Sequence, residues 1–84
     1  MDVWIETGSR EEVQYTWDQM SNDNLQFDES EFKPRCRFDR VYMRESTPAK
    51  IDAIHFGLIG LERLKPHVCF PSDHWGVLCH FRLI

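Results

Sequence analysis

Absences bound this sequence first. No apolar run approaches the roughly 20 residues that a membrane-spanning helix needs, and the opening residues Met1-Asp2-Val3-Trp4 lack the basic and apolar regions of a secretion signal. A soluble intracellular protein with no membrane partner is the expectation. Cysteine is scarce. Cys36, Cys69 and Cys79 cannot pair completely and show no Cys-x-x-Cys spacing, so reduced, mostly packed thiols are expected. No internal repeat, linker or low-complexity stretch interrupts the chain, which reads as one small domain. At 84 residues with 42% hydrophobic content, such a domain is marginal without a metal, disulfides or a partner to help it.

A net charge of −4 argues against a nucleic-acid-binding surface that covers the whole molecule, yet the charges are segregated. Residues 1 to 31 carry nine acids and one base, residues 32 to 50 six bases and two acids, and residues 51 to 84 three of each. Lys33, Arg35, Arg37, Arg40 and Arg44 are therefore the one plausible phosphate-facing patch, with a solvated face as the plain alternative. Strand alternation over this stretch predicts Arg35, Arg37 and Asp39 on one face, with Cys36, Phe38 and Arg40 on the other.

The pattern predicts little helix and several strands. Residues 1 to 7 end at Gly8, which suits the closing turn of a helix begun earlier. Val13 to Trp17 reads as a brief extended piece, Ser21 to Asn24 as a turn, and Asp28 to Glu31 as an exposed loop or single helical turn. Arg35 to Arg44 is the best strand candidate, stopped by Ser46-Thr47-Pro48. Ile51 to Leu64 is ambiguous: Ile51, Ile54, Leu58 and Leu61 have helical spacing, while Gly57 and Gly60 weaken a helix. Gly76 to Leu83 reads as a strand with bulky apolar groups on both faces, as in a buried sheet. Trp4 and Trp75 read as core.

One segment stands out chemically. Phe70-Pro71-Ser72-Asp73-His74-Trp75-Gly76 places an Asp-His pair on a proline-stiffened turn at the mouth of that strand, a suitable place to hold an imidazole against a reacting phosphate. Taken alone, the pair is also an ordinary polar turn. The longer string closely resembles the C-terminal signature of the endonuclease/exonuclease/phosphatase superfamily. Three further blocks, Gln14 to Asp18, Arg37 to Tyr42 and Leu58 to Glu62, occur in the order and approximate spacing of the last segments of its 5′-tyrosyl-DNA phosphodiesterases.

That resemblance implies a parent of the α/β (α+β) class, a four-layer sandwich with its site at one end of two packed sheets. Residues 1–84 would be the C-terminal segment of one incomplete catalytic domain and supply mostly strands and loops. It also implies a magnesium-dependent hydrolase, with manganese as an alternative cation. Its substrate would be a phosphodiester joining a topoisomerase II tyrosine to a DNA 5′ end, during DNA repair in the nucleus, with the cytoplasm as a second location, by a monomer. Within that frame His74 contacts the scissile phosphate, Asp39 buttresses His74, and Asp73 reaches toward the metal or its water shell. Trp17, Leu25, Phe27 and Phe38 form an apolar wall against the neighbouring nucleotide. The resemblance also favours a strand over Ile51 to Leu64. The superfamily's upstream metal-binding glutamate is not among these residues, and no Asp-x-Asn motif occurs, so the isolated chain is expected to be inactive.

The residues leave other readings open. Trp17 and Phe38 are also ordinary core candidates, and Asp39 also reads as an exposed strand carboxylate paired with Arg37 or Arg40. A zinc module built from His67, Cys69, Cys79 and His80 is a competing class, although neither half has the usual ligand gap. A non-catalytic fragment that binds DNA or a partner, and another phosphodiesterase or nuclease of the superfamily, complete the alternatives.

Overall fold

The structure, a computed structural model, describes residues 1–24, 32–66 and 68–84. Near its start, Asp2 accepts the Trp4 amide hydrogen at 3.0 Å, satisfying a donor that a helix start leaves bare. The helix it caps, α1 (Val3–Glu6), is a single turn, and Gly8, at φ +109°, carries the chain away. The cap corrects the expectation of a helix begun earlier: this one starts at Asp2. The extended piece expected from Val13 is confined to β1 (Trp17–Asp18), because Glu11–Val13 coils into a 3₁₀ turn.

The strand expected over Arg35 to Arg44 is also shorter. β2 is Arg35–Cys36, antiparallel to β1 with Trp17 opposite Cys36 and Asp18 opposite Arg35. Beyond it the chain makes an isolated bridge between Tyr42 and Asp2. The pairing stops because the amides of Phe38 and Asp39 are taken by the Thr16 hydroxyl instead of a neighbouring strand.

The ambiguous segment is a strand. β3 (Ile51–Ile59) runs antiparallel to β4 (Gly76–Leu83), from Ile51 opposite Leu83 to Ile59 opposite Gly76. The register slips between Ala53 and His55, so the alternation of side chains changes phase there. Ile51 and Ala53 before the slip, and Phe56 and Leu58 after it, consequently pack into one core with Val3 and Met43. Each large apolar side chain buried there contributes about 1.5 to 3 kcal/mol. A Cβ on Gly76 would lie 2.6 Å from Ile59 Cγ1, so any other residue there would push the Ile59 side chain aside where the two strand ends close, two residues after His74.

Trp75 is buried and meets Phe70 edge-on at 4.9 Å, as a core residue should. Trp4 is only half-buried and packs against the core from beneath the Arg37 guanidinium. All three cysteines are free and half-buried, and burial pushes the Cys79 thiol up.

The layer is thin. Its radius of gyration is 15.6 Å and its extents 52 × 28 × 16 Å, against roughly 12 Å for the radius of a compact chain of this length. β4 accordingly departs from the buried-sheet expectation. Leu78, Phe81 and Leu83 are 41%, 42% and 83% exposed, since no third layer among the described residues covers the β3–β4 pair. Among the described residues no helix is long and apolar enough to cross a membrane.

Candidate active site

Two segments distant in sequence are held side by side by backbone-directed hydrogen bonds. Thr16, fully buried, sits between them. Its hydroxyl accepts the amide hydrogens of Phe38 at 3.1 Å and Asp39 at 2.9 Å, while its carbonyl accepts that of Trp75 at 2.7 Å. The other end of the Phe70 to Trp75 loop is clamped by two asparagines. Asn24 exchanges a pair of hydrogen bonds with the Phe70 backbone, and Asn22 donates to the Ser72 carbonyl at 2.9 Å. Within the loop, Ser72 Oγ accepts the His74 amide hydrogen at 3.0 Å.

This scaffold brings Asp39 and His74 together: His74 Nδ1 lies 2.5 Å from Asp39 Oδ2. Burial pushes the Asp39 carboxyl up, but hydrogen bonds from His74 and Thr16 and the charge of His74 outweigh it and hold the group below the usual carboxylate range. An ionised carboxylate only accepts, so Nδ1 carries a hydrogen directed at it. Both side chains remain open to solvent, His74 at 38% and Asp39 at 46% exposure. Both groups of the pair are therefore accessible among the described residues.

Aromatic rings flank it. The Phe38 ring is 6.3 Å from the His74 ring and 5.5 Å from that of Trp17, and Phe38 is 60% exposed, so it is not a core residue. Trp17 is half-buried, and its indole N–H donates to Asp73 Oδ2 at 3.3 Å. Leu25 and Phe27 lie outside the described residues, as do the Asp28 to Glu31 stretch and His67.

Two of the five bases named in the basic stretch are spent on internal carboxylates. Arg35 forks onto Asp18 at 3.0 and 3.1 Å and covers the Tyr15 ring. Arg37 donates to Asp2 at 2.5 Å with both side chains nearly buried. Asp39 is thus not the partner of Arg37. A cavity of about 330 Å³, lined by Tyr15, Asp18, Arg35, Leu58, Phe70 and Trp75 among others, includes neither Asp39 nor His74. The candidate chemistry sits on open surface.

These residues do not make a magnesium site by themselves. Among the described residues no three of His, Cys, Asp and Glu converge as a metal would need, and Asp73 is the carboxylate next to the pair. Its Oδ2 holds the Trp17 indole and its Oδ1 meets the Ser72 hydroxyl at 3.5 Å, a long contact that leaves this oxygen able to face a cation or its waters as well. Thr16, Asn22 and Asn24 escaped the sequence reading, because polar residues in a turn-rich stretch give no local sign of partners far along the chain.

No family model matches the chain. Tyrosyl-DNA phosphodiesterase 2 of Gallus gallus is 44% identical over 86 residues, covering 99% of this chain and 22% of that protein. The Homo sapiens protein of the same name is 38% identical over 92 residues, covering 100% and 22%. The crystal structure of Danio rerio TDP2 complexed with single-strand DNA product matches with a TM-score of 0.86 at 38% identity, over 98% of this chain and 32% of that one. That of Caenorhabditis elegans TDP2 matches at 0.77 and 36% identity, over 92% and 22%. The chain spans about a fifth of the length of the curated relatives it matches. Over nearly its whole length, then, this chain is a homologue of tyrosyl-DNA phosphodiesterase 2 and corresponds to roughly a fifth of it.

Proposed function

We propose that these residues form part of the active site of a metal-dependent 5′-tyrosyl-DNA phosphodiesterase, and that residues 1–84 are the C-terminal segment of its one catalytic domain. The substrate is the phosphodiester between a topoisomerase II tyrosine and a DNA 5′ phosphate, met in DNA repair in the nucleus, with the cytoplasm as a second location, by a protein that acts as a monomer. The observation that carries the reading is the Asp39–His74 pair, joined at 2.5 Å on open surface beside the rings of Phe38 and Trp17. Homology to proteins named for this activity supports it.

The chain's own residues have defined tasks. His74 Nε2–H donates to a non-bridging phosphate oxygen, and the bond strengthens as water adds to phosphorus and the bond to the tyrosine oxygen breaks. Asp39 favours the imidazolium and fixes the ring. The released tyrosine takes back a proton and the DNA keeps its 5′ phosphate. Trp17 and Phe38 present apolar surface to the terminal nucleotide, a sequence-tolerant way to bind single-strand ends; Leu25 and Phe27, assigned to the same wall by resemblance, lie outside the described residues. Magnesium, or manganese in its place, is the proposed cofactor, with Asp73 giving it at most one ligand and other parts of the protein the rest. DNA binding through a basic strand alone is disfavoured, since Arg35 and Arg37 are committed to Asp18 and Asp2.

The test is tyrosine release from a 5′-tyrosyl oligonucleotide by the full-length protein carrying these residues, with magnesium. Release that disappears in His74→Ala is expected. No release, with hydrolysis of abasic DNA or a phosphoinositide by the same preparation, would replace this reading by another superfamily activity.

A further inference from the structure

The geometry points to Thr16 as the positioning residue of the Asp39–His74 pair: one buried side chain and its own carbonyl tie the backbone on both sides of the pair and so set the distance between its members. This rests on the reading of His74 and Asp39 given above. A hydroxyl has two acceptor sites and one donor. Here both acceptor sites are filled, by the amides of Phe38 and Asp39 at 3.1 and 2.9 Å. Thr16 is also among the groups that hold the Asp39 carboxyl below the usual carboxylate range. The Thr16 main chain is filled as well: its amide donates to the Cys36 carbonyl at 3.1 Å and its carbonyl accepts the Trp75 amide at 2.7 Å.

Every polar atom of Thr16 therefore serves a residue in, or close to, the pair. At 0% exposure water cannot substitute for any of these bonds. Without the hydroxyl, the Phe38 and Asp39 amides lose their acceptor, and the loop bearing Asp39 is free to move relative to Trp75 and His74. A reacting group displaced by about 1 Å loses up to 10²-fold in rate.

The experiment uses the full-length protein carrying these residues, as Thr16→Ser, which keeps the hydroxyl, and Thr16→Val, which keeps the shape alone. The first readout is the NMR resonance of the His74 Nδ1 hydrogen, shifted far downfield by its short bond to a carboxylate and assigned by its absence in His74→Ala. The second is kcat and KM on a 5′-tyrosyl oligonucleotide. Thr16→Ser should retain the resonance and turnover. Thr16→Val should lose the resonance and lower kcat roughly ten- to hundredfold while KM stays within about twofold.

The inference is overturned if Thr16→Val keeps the resonance, or if Thr16→Ser loses it as fully, which would assign the effect to packing of the methyl group. Should Thr16→Val fail to fold, Thr16→Ala takes its place, and Thr16→Ser decides if neither folds: a retained resonance supports the inference and a lost one overturns it. Failure of the functional reading looks different. The parent protein then releases no tyrosine, or Thr16→Val loses the resonance at unchanged kcat, and the spectroscopic result for Thr16 stands either way.

Discussion

Asp39 and His74 share a 2.5 Å hydrogen bond although 35 positions separate them in sequence. If that bond is what holds the imidazole for catalysis, then in the full-length protein Asp39→Asn lowers kcat strongly at nearly unchanged KM, because an amide neither favours the imidazolium nor fixes the ring tautomer. His74→Ala costs at least as much. Since the two act as one unit, the double variant is scarcely worse than His74→Ala. Additive losses in steady-state kinetics would make Asp39 an independent contributor.

The aromatic flank separates stacking from hydrogen bonding. Phe38→Ala and Trp17→Ala should each weaken binding of a single-strand oligonucleotide by roughly 1 to 3 kcal/mol. Trp17→Phe keeps a flat ring but removes the indole hydrogen that Asp73 accepts at 3.3 Å. It should retain affinity while altering the metal dependence of turnover. A collapse in melting temperature with unchanged affinity would return Trp17 to the core.

Arg37 offers a stability test. Arg37→Met leaves the nearly buried Asp2 carboxylate without its partner and should destabilise the protein by on the order of 3 kcal/mol. Burial pushes the Asp2 carboxyl up, but the Arg37 hydrogen bond and charge, the Trp4 amide and Arg40 together hold it below its ordinary 3.8. Its contribution is therefore fully present above that value and fades as pH falls through the lower folded-state value. Melts between pH 7 and pH 3 should show a steeper acid loss for the parent than for Arg37→Met. The salt dependence of DNA affinity should not change, because this guanidinium faces Asp2 and not phosphate.

For the 84-residue polypeptide on its own, dye binding is the direct measurement. Ile54, Ile59, Phe81 and Leu83 are each more than two-fifths exposed, and β3 and β4 pair only with each other among the described residues. It should bind a hydrophobic dye, associate, and show weak near-ultraviolet dichroism despite three tryptophans. Magnesium-supported turnover should be absent. A monomer with a sharp cooperative melt would contradict this.

How far the sequence could be read depended on whether a partner was local. The turn that carries His74 was legible because it is contiguous and ends in a strand, whereas a role for His74 came only through resemblance. Asp39 was legible only through resemblance, since from its own neighbourhood Arg37 and Arg40 looked like its partners, whereas Arg37 turns away to Asp2. Ile51 to Leu64 was ambiguous because Ile51, Ile54, Leu58 and Leu61 have helical spacing; in the structure Ile54 and Leu61 are exposed, and it is the slip between Ala53 and His55 that brings Ile51, Ala53, Phe56 and Leu58 to one core. Arg35 to Arg44 showed strand alternation, but the pairing is cut short by a side chain 22 positions before Phe38. The anchors Asn22 and Asn24 act across 50 and 46 positions, a relation no local pattern encodes.

The bonds that hold this site land on main-chain atoms: the amides of Phe38, Asp39 and Trp75, the carbonyl of Ser72, and both polar groups of Phe70. A main-chain target survives replacement of the side chain it carries, unless proline removes the amide. Phe38 therefore occupies a position where the exposed ring can drift to another shape while the amide under it stays clamped. Under the proposed function, substrate preference and catalytic geometry would then be separately heritable, so single substitutions could retune this surface while leaving the histidine where it is.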